Sequence, residues 1–223
     1  AAELPVTSSV KPVGARGGSE FWARSADFSG GSTSYLRGNS GVSSDPSDIT
    51  LVLFFNTDTN TNTRMLFEIA NSHSGSGDIG VDIRLETGGQ GISIAIEESD
   101  NTTLYETGYY SLNSTLGFQH YLLLSLSSTQ QKASFYVDGV LADNATSLSG
   151  SGNVNVGGYM TTTIGHSIGA GGVNSHDGEI GFLYFDSSYI DFSQEASRNK
   201  FIDQLGYPVD LGADGSKPTG SSP

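Results

Sequence analysis

Residues 48–56 read DITLVLFFN and are apolar at nearly every position from Ile49 to Phe55. The run is the length of a β-strand and too short for a buried helix. A half-buried strand would show a polar residue at every second position, whereas a continuous apolar run is typical of a strand buried on both faces. We therefore predict that this segment lies in the middle of a β-sandwich.

The segments around this run alternate between apolar and polar residues. Ile79–Leu85 has apolar side chains on one face and Asp82 and Arg84 on the other. Residues 91–98 and 131–138 show the same period of two, which indicates half-buried antiparallel strands. The second of these ends in Asp138-Gly139, a pair typical of tight hairpin turns. Further strands are predicted over residues 33–37, 63–70, 102–107, 120–126, 159–165 and 178–186.

One helix is predicted near the end of the chain. Ser193 is a suitable N-cap for a helix over residues 194–204, and Gly206 is suited to close it in a left-handed turn. Phe201, Ile202 and Leu205 would then face the sheets. Pro208 prevents the helix from continuing.

The pattern of elements favours one large all-β domain. Thirty glycines in 223 residues supply many turns, and ten to twelve short strands recur at turn spacings of about 8–14 residues. We predict a two-sheet antiparallel jelly-roll sandwich with one short C-terminal helix. Residues 1–20 are predicted to be an extended arm or linker, 21–206 the sandwich, and 207–223 an irregular tail.

The charge excludes two classes of partner. The formal net charge is −14, and Lys and Arg together number only 10. Nucleic acid needs clustered cations to neutralise its backbone, and anionic membranes need a basic surface. No apolar run approaches the roughly 20 residues of a membrane helix, so we predict no membrane insertion. The acidity does suit capture of cations such as calcium.

Four segments, taken in order, resemble those of a known family. They are DFSGG at 27–31 followed by Tyr35-Leu36, ITLVLFF at 49–55, FYVDGV at 135–140, and Ile164-Gly165 followed by DGEIGFLYF at 177–185. With these segments the chain is similar to the laminin-G-like domains of the concanavalin A-like lectin/glucanase superfamily, which implies a concanavalin A-like jelly roll.

The C-terminal residues carry a second resemblance. FID at 201–203, PVDLGADG at 208–215 and PTG at 218–220 resemble an ending that follows such sandwiches in bacteriophage structural proteins. This resemblance implies a virion surface protein, such as a capsid decoration or a tail or fibre component. Its partners would be other virion proteins and surface glycans, and a homo-oligomer stays open. The alternative is a secreted bacterial carbohydrate-binding module.

Aromatic and acidic residues in turns are the candidate ligands of such a module. Sugar binding needs an aromatic platform with polar groups beside it, and Tyr109, Tyr110 and Tyr159 fit this requirement, as does Trp22. Laminin-G-like domains often hold calcium at the rim of the sandwich. That resemblance implies a Ca²⁺ site at Asp58, Asn174 and Asp177.

No group of residues predicts catalysis. GHSIG at 165–169 matches the nucleophile elbow in letters, but the residues that follow are glycine-rich and do not predict the helix that the elbow requires. Asp177 and Glu179 share a strand face but lack the third acid found in glycosidases of the superfamily. The four histidines show no metal-ligand spacing. We predict a non-enzymatic protein, with a degenerate glycoside hydrolase as the third alternative.

Overall fold

The computed structural model describes residues 11–12, 26–29, 35–58, 62–71, 78–87, 91–112, 119–158, 160–167, 174–212 and 215–220. Within these residues the chain forms fifteen strands and one helix, α1 (Glu195–Arg198). The strands are β1 (Lys11–Pro12), β2 (Ala26–Ser29), β3 (Leu36–Asn39), β4 (Asp48–Phe55), β5 (Arg64–Ala70), β6 (Ile79–Leu85), β7 (Gly91–Glu97), β8 (Thr103–Glu106), β9 (Tyr110–Ser111), β10 (His120–Ser127), β11 (Lys132–Val137), β12 (Val140–Ala145), β13 (Thr161–Ile164), β14 (Asn174–Ser175) and β15 (Asp177–Asp186).

The strands form two sheets, which confirms the predicted sandwich. The back sheet has the order β1-β2-β15-β4-β10-β11-β12, and the front sheet has the order β3-β13-β5-β6-β7-β8. In the front sheet β9 also pairs with β7, and β14 pairs with β5. All the pairs are antiparallel except β14 with β5, which is the one parallel pair among the described strands.

Strand β4 is buried on both faces, as its continuous apolar run predicts. Ile49, Leu51, Leu53 and Phe55 point between the sheets and belong to the main core, together with the apolar face of β6. The alternate residues Val52 and Phe54 point away from the front sheet and are also fully buried. The back sheet is therefore covered on its outer side.

The cover is the segment that follows β15. Ile190, Phe192, Phe201, Ile202 and Leu211 form a second apolar cluster with the outer side chains of β4, β10, β11 and β15. Phe201 makes edge-to-face contacts with Tyr184 of β15 and with Phe192, and such pairs add to the stabilisation that burial itself provides. This segment, residues 188–211, is called the back cover below. The back cover includes the start of the predicted irregular tail, and Leu211 in that part is buried against the sandwich.

The helix differs from its prediction. It covers only Glu195–Arg198, and its N-cap is Gln194, whose side chain makes no capping hydrogen bond, rather than Ser193. The chain then forms a tighter turn, in which the backbone N–H of Phe201 donates to Arg198. A single helical turn has little stability of its own, and the burial of Phe201 and the pairing of Ile202 with Pro208 override the local preference.

The residues around Gly206 are partly as predicted. Gly206 has a φ of +84°, the left-handed conformation expected there. It follows a turn centred on the side chain of Asp203, which accepts the N–H groups of Leu205 and Tyr207. Leu205 is 80% exposed, so the prediction that it faces the sheets is wrong.

Two further predictions concern the hairpin turn and the N-terminal arm. Asp138 and Gly139 both have positive φ, as a two-residue hairpin turn requires, and they connect β11 to β12. Within the predicted arm only Lys11–Pro12 is described, and it pairs with β2 at the edge of the back sheet.

Among the described residues, no helix has the length and hydropathy needed to span a membrane.

Candidate functional site

The outer face of the front sheet carries a row of polar side chains. Residues that lie directly opposite each other on neighbouring strands point to the same face of a sheet. The register of five strand pairs therefore places one row across the whole sheet: Arg37, Thr163, Glu68, Asp82, Ala95 and Glu106. The middle of this row, at Thr163, Glu68 and Asp82, is buried, whereas its end at Glu106 is exposed and can meet a ligand.

A buried ion pair lies in the middle of this row. Nε of Arg84 donates to both carboxylate oxygens of Asp82, at 2.7 and 2.8 Å, and Nη2 donates to Oδ2. Burial raises the pKa of the Asp82 carboxyl above its usual range, and the guanidinium of Arg84 offsets this only in part. The neighbouring carboxylates of Glu68 and Glu86 raise this pKa further, so the surroundings of the pair are strongly acidic.

A cavity of about 460 Å³ opens beside the ion pair. This volume lies within the range of small-molecule sites. The lining is Asp82, Arg84, Glu86, Ser93, Ile94, Ala95, Glu106, Thr107, Gly108 and Tyr109. We call this surface the front groove. Hydrogen bonds hold its floor in place. The backbone N–H of Thr107 donates to the carbonyl of Ile94, and the hydroxyl oxygen of Thr107 accepts the backbone N–H of Ile94. The hydroxyl of Ser93 donates to the carboxylate of Glu86.

Tyr109 forms one wall of the front groove. A Cβ built on Gly91 would lie 2.2 Å from Cε2 of Tyr109, so only a glycine lets the ring pack this closely on β7. The side chain nevertheless remains 56% exposed. One predicted ligand residue is thus an exposed aromatic group beside polar groups, the arrangement that sugar binding needs.

The other two predicted aromatic residues do not meet Tyr109 in the described structure. Tyr110 is half-buried and packs against the core, where its ring contacts Phe135 edge-to-face with centroids 6.1 Å apart. Tyr159 lies outside the described residues, and so does Trp22.

Two of the predicted calcium ligands are neighbours at the end of β4. The backbone N–H of Asp58 donates to the carbonyl of Asp177 at 2.8 Å, and Thr57 Oγ1 donates to the same carbonyl at 3.2 Å. The backbone of Asn174 pairs with Arg64 on the neighbouring strand, and its side chain lies outside the described part. Within the residues described, no three His, Asp or Glu side chains are grouped to hold a metal. The Ca²⁺ site at Asp58, Asn174 and Asp177, with carboxylate and carbonyl oxygens as ligands, stays a prediction.

The residues considered for hydrolysis have structural partners. The amide of Asn56 bridges Glu179: its Oδ1 accepts the backbone N–H at 2.6 Å, and its Nδ2 donates to the carboxylate at 3.4 Å. The hydroxyl of Ser167, in the GHSIG sequence, donates to Glu68 at 2.9 Å.

Most of the front groove was missed by sequence reasoning. The alternation in β6 assigns Asp82 and Arg84 to the polar face, and Glu86 continues that face two residues later. Nothing in a single sequence says that Glu106 of β8 lies in the same row. The available signal was the spacing Asp-x-Arg-x-Glu at 82–86, which continues the polar face of β6 one residue beyond the end of the strand.

Comparisons with known proteins agree with the architecture. No protein-family model matches the chain, and no curated protein matches it. Among solved structures, the CBM40 of the Ruminococcus gnavus IT-sialidase bound to α2,3-sialyllactose has a TM-score of 0.55 at 11% identity, with 67% of this chain and 80% of that chain covered. Domains LG4–5 of the mouse laminin α1 chain have a TM-score of 0.53 at 13% identity, with 96% and 48% covered.

A third similar structure is the receptor-binding domain of botulinum neurotoxin type G. It has a TM-score of 0.58 at 10% identity, with 93% of this chain and 49% of that chain covered. At these identities the likeness concerns the fold alone. The chain is therefore a two-sheet sandwich of the kind that laminin G domains and this carbohydrate-binding module have.

Proposed function

We propose that this chain is a non-enzymatic, lectin-like domain that binds glycans in the front groove. The observation that carries the proposal is the exposed ring of Tyr109, which is packed on Gly91 at the edge of a polar cavity. A sugar ring has an apolar C–H face that stacks on an aromatic side chain and hydroxyl groups that need polar partners. The carboxylates of Glu86 and Glu106 provide acceptors beside that ring.

The fold comparisons support this proposal. The CBM40 of the Ruminococcus gnavus IT-sialidase is bound to sialyllactose in two of the similar structures, so a sandwich of this fold binds sugar in another protein.

The state of the carboxylates supports a binding role rather than hydrolysis. Glycosidases need two accessible carboxyl groups that flank the scissile bond. Glu68 and Asp82 lie opposite each other on β5 and β6, but both are fully buried. A sugar in the front groove would therefore meet Glu86 and Glu106, and not the buried carboxylates of Glu68 and Asp82.

The test is a broad glycan array with the recombinant chain and its Tyr109→Ala variant. We expect reproducible binding by the wild type and a loss of about tenfold or more in affinity for the variant, the equivalent of about 1.4 kcal/mol. Tyr207→Ala is the matched control, because Tyr207 is also exposed but lies in the back cover, away from the front groove. Absence of binding to every glycan, or equal binding by wild type and Tyr109→Ala, would overturn the proposal.

We also propose that the domain is displayed on a virion surface, where it contacts host glycans or neighbouring virion proteins. The resemblance of residues 201–220 to endings of bacteriophage structural proteins supports this setting. The alternative setting is a secreted bacterial carbohydrate-binding module, in which the front groove would bind glycans in the same way. Mass spectrometry of purified virions distinguishes them, and absence of the chain from the particles would exclude the virion role.

A further inference from the structure

We propose that the front groove binds glycans without acidic groups and prefers a sugar that bears a free amino group. This inference rests on the proposed glycan-binding function and specifies the chemical class of the ligand. It also separates the chain from the sialyllactose-bound domains that share its fold, because a sialic acid carries a carboxylate.

Arg84 is a poor receptor for an acidic sugar. Its Nε and Nη2 already donate to the carboxylate of Asp82, and its side chain is only 30% exposed. A ligand carboxylate at the remaining N–H groups would share one guanidinium charge with Asp82 and would lie beside the like charges of Asp82 and Glu86, which disfavours its binding.

The other charges of the front groove are negative. Its lining contains the carboxylates of Asp82, Glu86 and Glu106 against the single guanidinium of Arg84, which leaves two negative charges in excess. Glu68 lies beside Asp82 on the neighbouring strand β5 and adds a further carboxylate to the same face. Because the whole chain also carries a net charge of −14, an anionic ligand is repelled both within the groove and during its approach.

The same groups suit a cationic ligand. The carboxylate of Glu106 is solvent-exposed on the outer strand β8, where an ammonium group can reach it from solvent. The face of Tyr109 attracts a cation through the quadrupole of the ring. The hydroxyl oxygen of Thr107 already accepts the N–H of Ile94, and the carboxylate of Glu86 accepts the hydroxyls of Ser93 and Thr63. The exposed carboxylate of Glu106 therefore offers a ligand more open acceptor oxygens than Glu86 does. A carboxylate accepts N–H and O–H donors and repels an acidic group.

The experiment compares two matched pairs of ligands by isothermal titration calorimetry with the full chain. The first pair is the glucosamine disaccharide and its N-acetylated counterpart. The second pair is lactose and 3′-sialyllactose, which share a core and differ by one sialic acid. We expect the free amino sugar to bind about tenfold more tightly than the acetylated one, and sialyllactose to bind more weakly than lactose. Both differences should decrease at high salt.

Charge variants locate the effect. Glu106→Gln removes one exposed carboxylate from the front groove and should abolish most of the preference for the amino sugar. Glu195→Gln makes the same chemical change in the exposed first turn of α1, on the opposite side of the sandwich, and should leave the preference unchanged. Circular dichroism and thermal unfolding confirm that both variants fold.

The outcomes separate this inference from the proposed function. Tighter binding of sialyllactose than of lactose, or equal binding of the two amino sugars, overturns the inference while Tyr109-dependent binding of any glycan preserves the function. An amino-sugar preference that survives in both Glu106→Gln and Tyr109→Ala reflects general attraction to an acidic protein and also overturns the inference. No binding by any sugar, on the array or in titration, overturns the function itself.

Discussion

The hydroxyl of Thr50 on β4 donates a hydrogen bond of 2.7 Å to the backbone carbonyl of Ser188, at the start of the back cover. The same oxygen accepts the backbone N–H of Ile190 at 3.1 Å. One buried side chain thus fixes the chain just after β15, before the apolar residues of the back cover reach the sheet.

Replacing Thr50 with valine should therefore destabilise the protein. The substitution keeps the shape but leaves a buried carbonyl and a buried N–H without partners, which costs about 2 kcal/mol. Chemical denaturation measures the change in the free energy of unfolding. Thr50→Ser retains the hydroxyl and is the control, which should lose clearly less; equal losses in both variants would contradict the role of the hydroxyl.

A second prediction concerns the close approach of Gly80 to the loop before β13. A Cβ on Gly80 would lie 1.5 Å from the backbone carbonyl oxygen of Asn155, and backbone cannot move aside as a flexible side chain can. We expect Gly80→Ala to destabilise the protein by about 3 kcal/mol. Gly108→Ala introduces the same methyl group where nothing lies within 4 Å, and should change the unfolding free energy little. A stable Gly80→Ala variant would refute the packing described.

A third prediction follows from the ion pair in the front sheet. Arg84→Gln removes the cation and leaves the carboxylate of Asp82 buried, so we expect a loss of about 2 kcal/mol at neutral pH. The double variant Asp82→Asn/Arg84→Gln should recover much of that loss, because no charge is then buried.

The sign of the pH dependence checks the same argument. The folded-state pKa of Asp82 lies above its unfolded value because of burial. The folded state therefore retains the proton to higher pH than the unfolded state does, and the destabilisation of Arg84→Gln should diminish as the pH is lowered. A loss that does not depend on pH would indicate that packing of the Arg84 stem, and not charge, is responsible.

A fourth prediction concerns His176, which is fully buried between β14 and β15 and contacts Phe28 edge-to-face. Burial lowers its pKa from 6.5 to about 4, the nearby charge of Arg64 adds to this, and interactions with the backbone of Asn56 and Glu179 offset it only in part. In the unfolded chain the imidazole binds a proton below its ordinary pKa, so the unfolded state gains protons that the folded state does not.

Stability should accordingly fall as the pH decreases from 6.5 to about 4. The contribution of His176 over this interval is about 3 kcal/mol. His176→Phe cannot be protonated, so its free energy of unfolding should decline less over the same range. Parallel pH profiles for the wild type and the variant would show that acid sensitivity arises elsewhere.

The strands were predictable because the order of apolar and polar residues along each segment directly reflects which side chains are buried. Ile79–Leu85 has the same bounds in the sequence and in the structure, since the alternation ends where the strand ends. The burial of β4 on both faces was also predictable, whereas the identity of its outer cover was not. Phe192 and Leu211 lie in irregular chain, where no period marks the side that becomes buried.

The front groove was only partly predictable. Tyr109 was identified by its residue type, but Tyr110 has the same type and faces the core. Asp82 and Glu106 come together because β7 lies between their strands in a particular register, which depends on the packing of the core and on turn geometry. The predicted length of the helix was wrong for a related reason, because tertiary contacts of Phe201 outweigh the local preference for a longer helix.

The order of strands in the back sheet has a consequence for synthesis on the ribosome. Strand β4 is synthesised well before β15, yet β15 is one of its two neighbours in the sheet, and residues 188–211 cover its outer face. A nascent chain that stops before Asp177 exposes an unpaired edge and an apolar surface at the centre of its sheet. Folding of the sandwich must therefore await the synthesis of residues 177–211, and chains truncated before them present the surfaces that chaperones and proteases recognise.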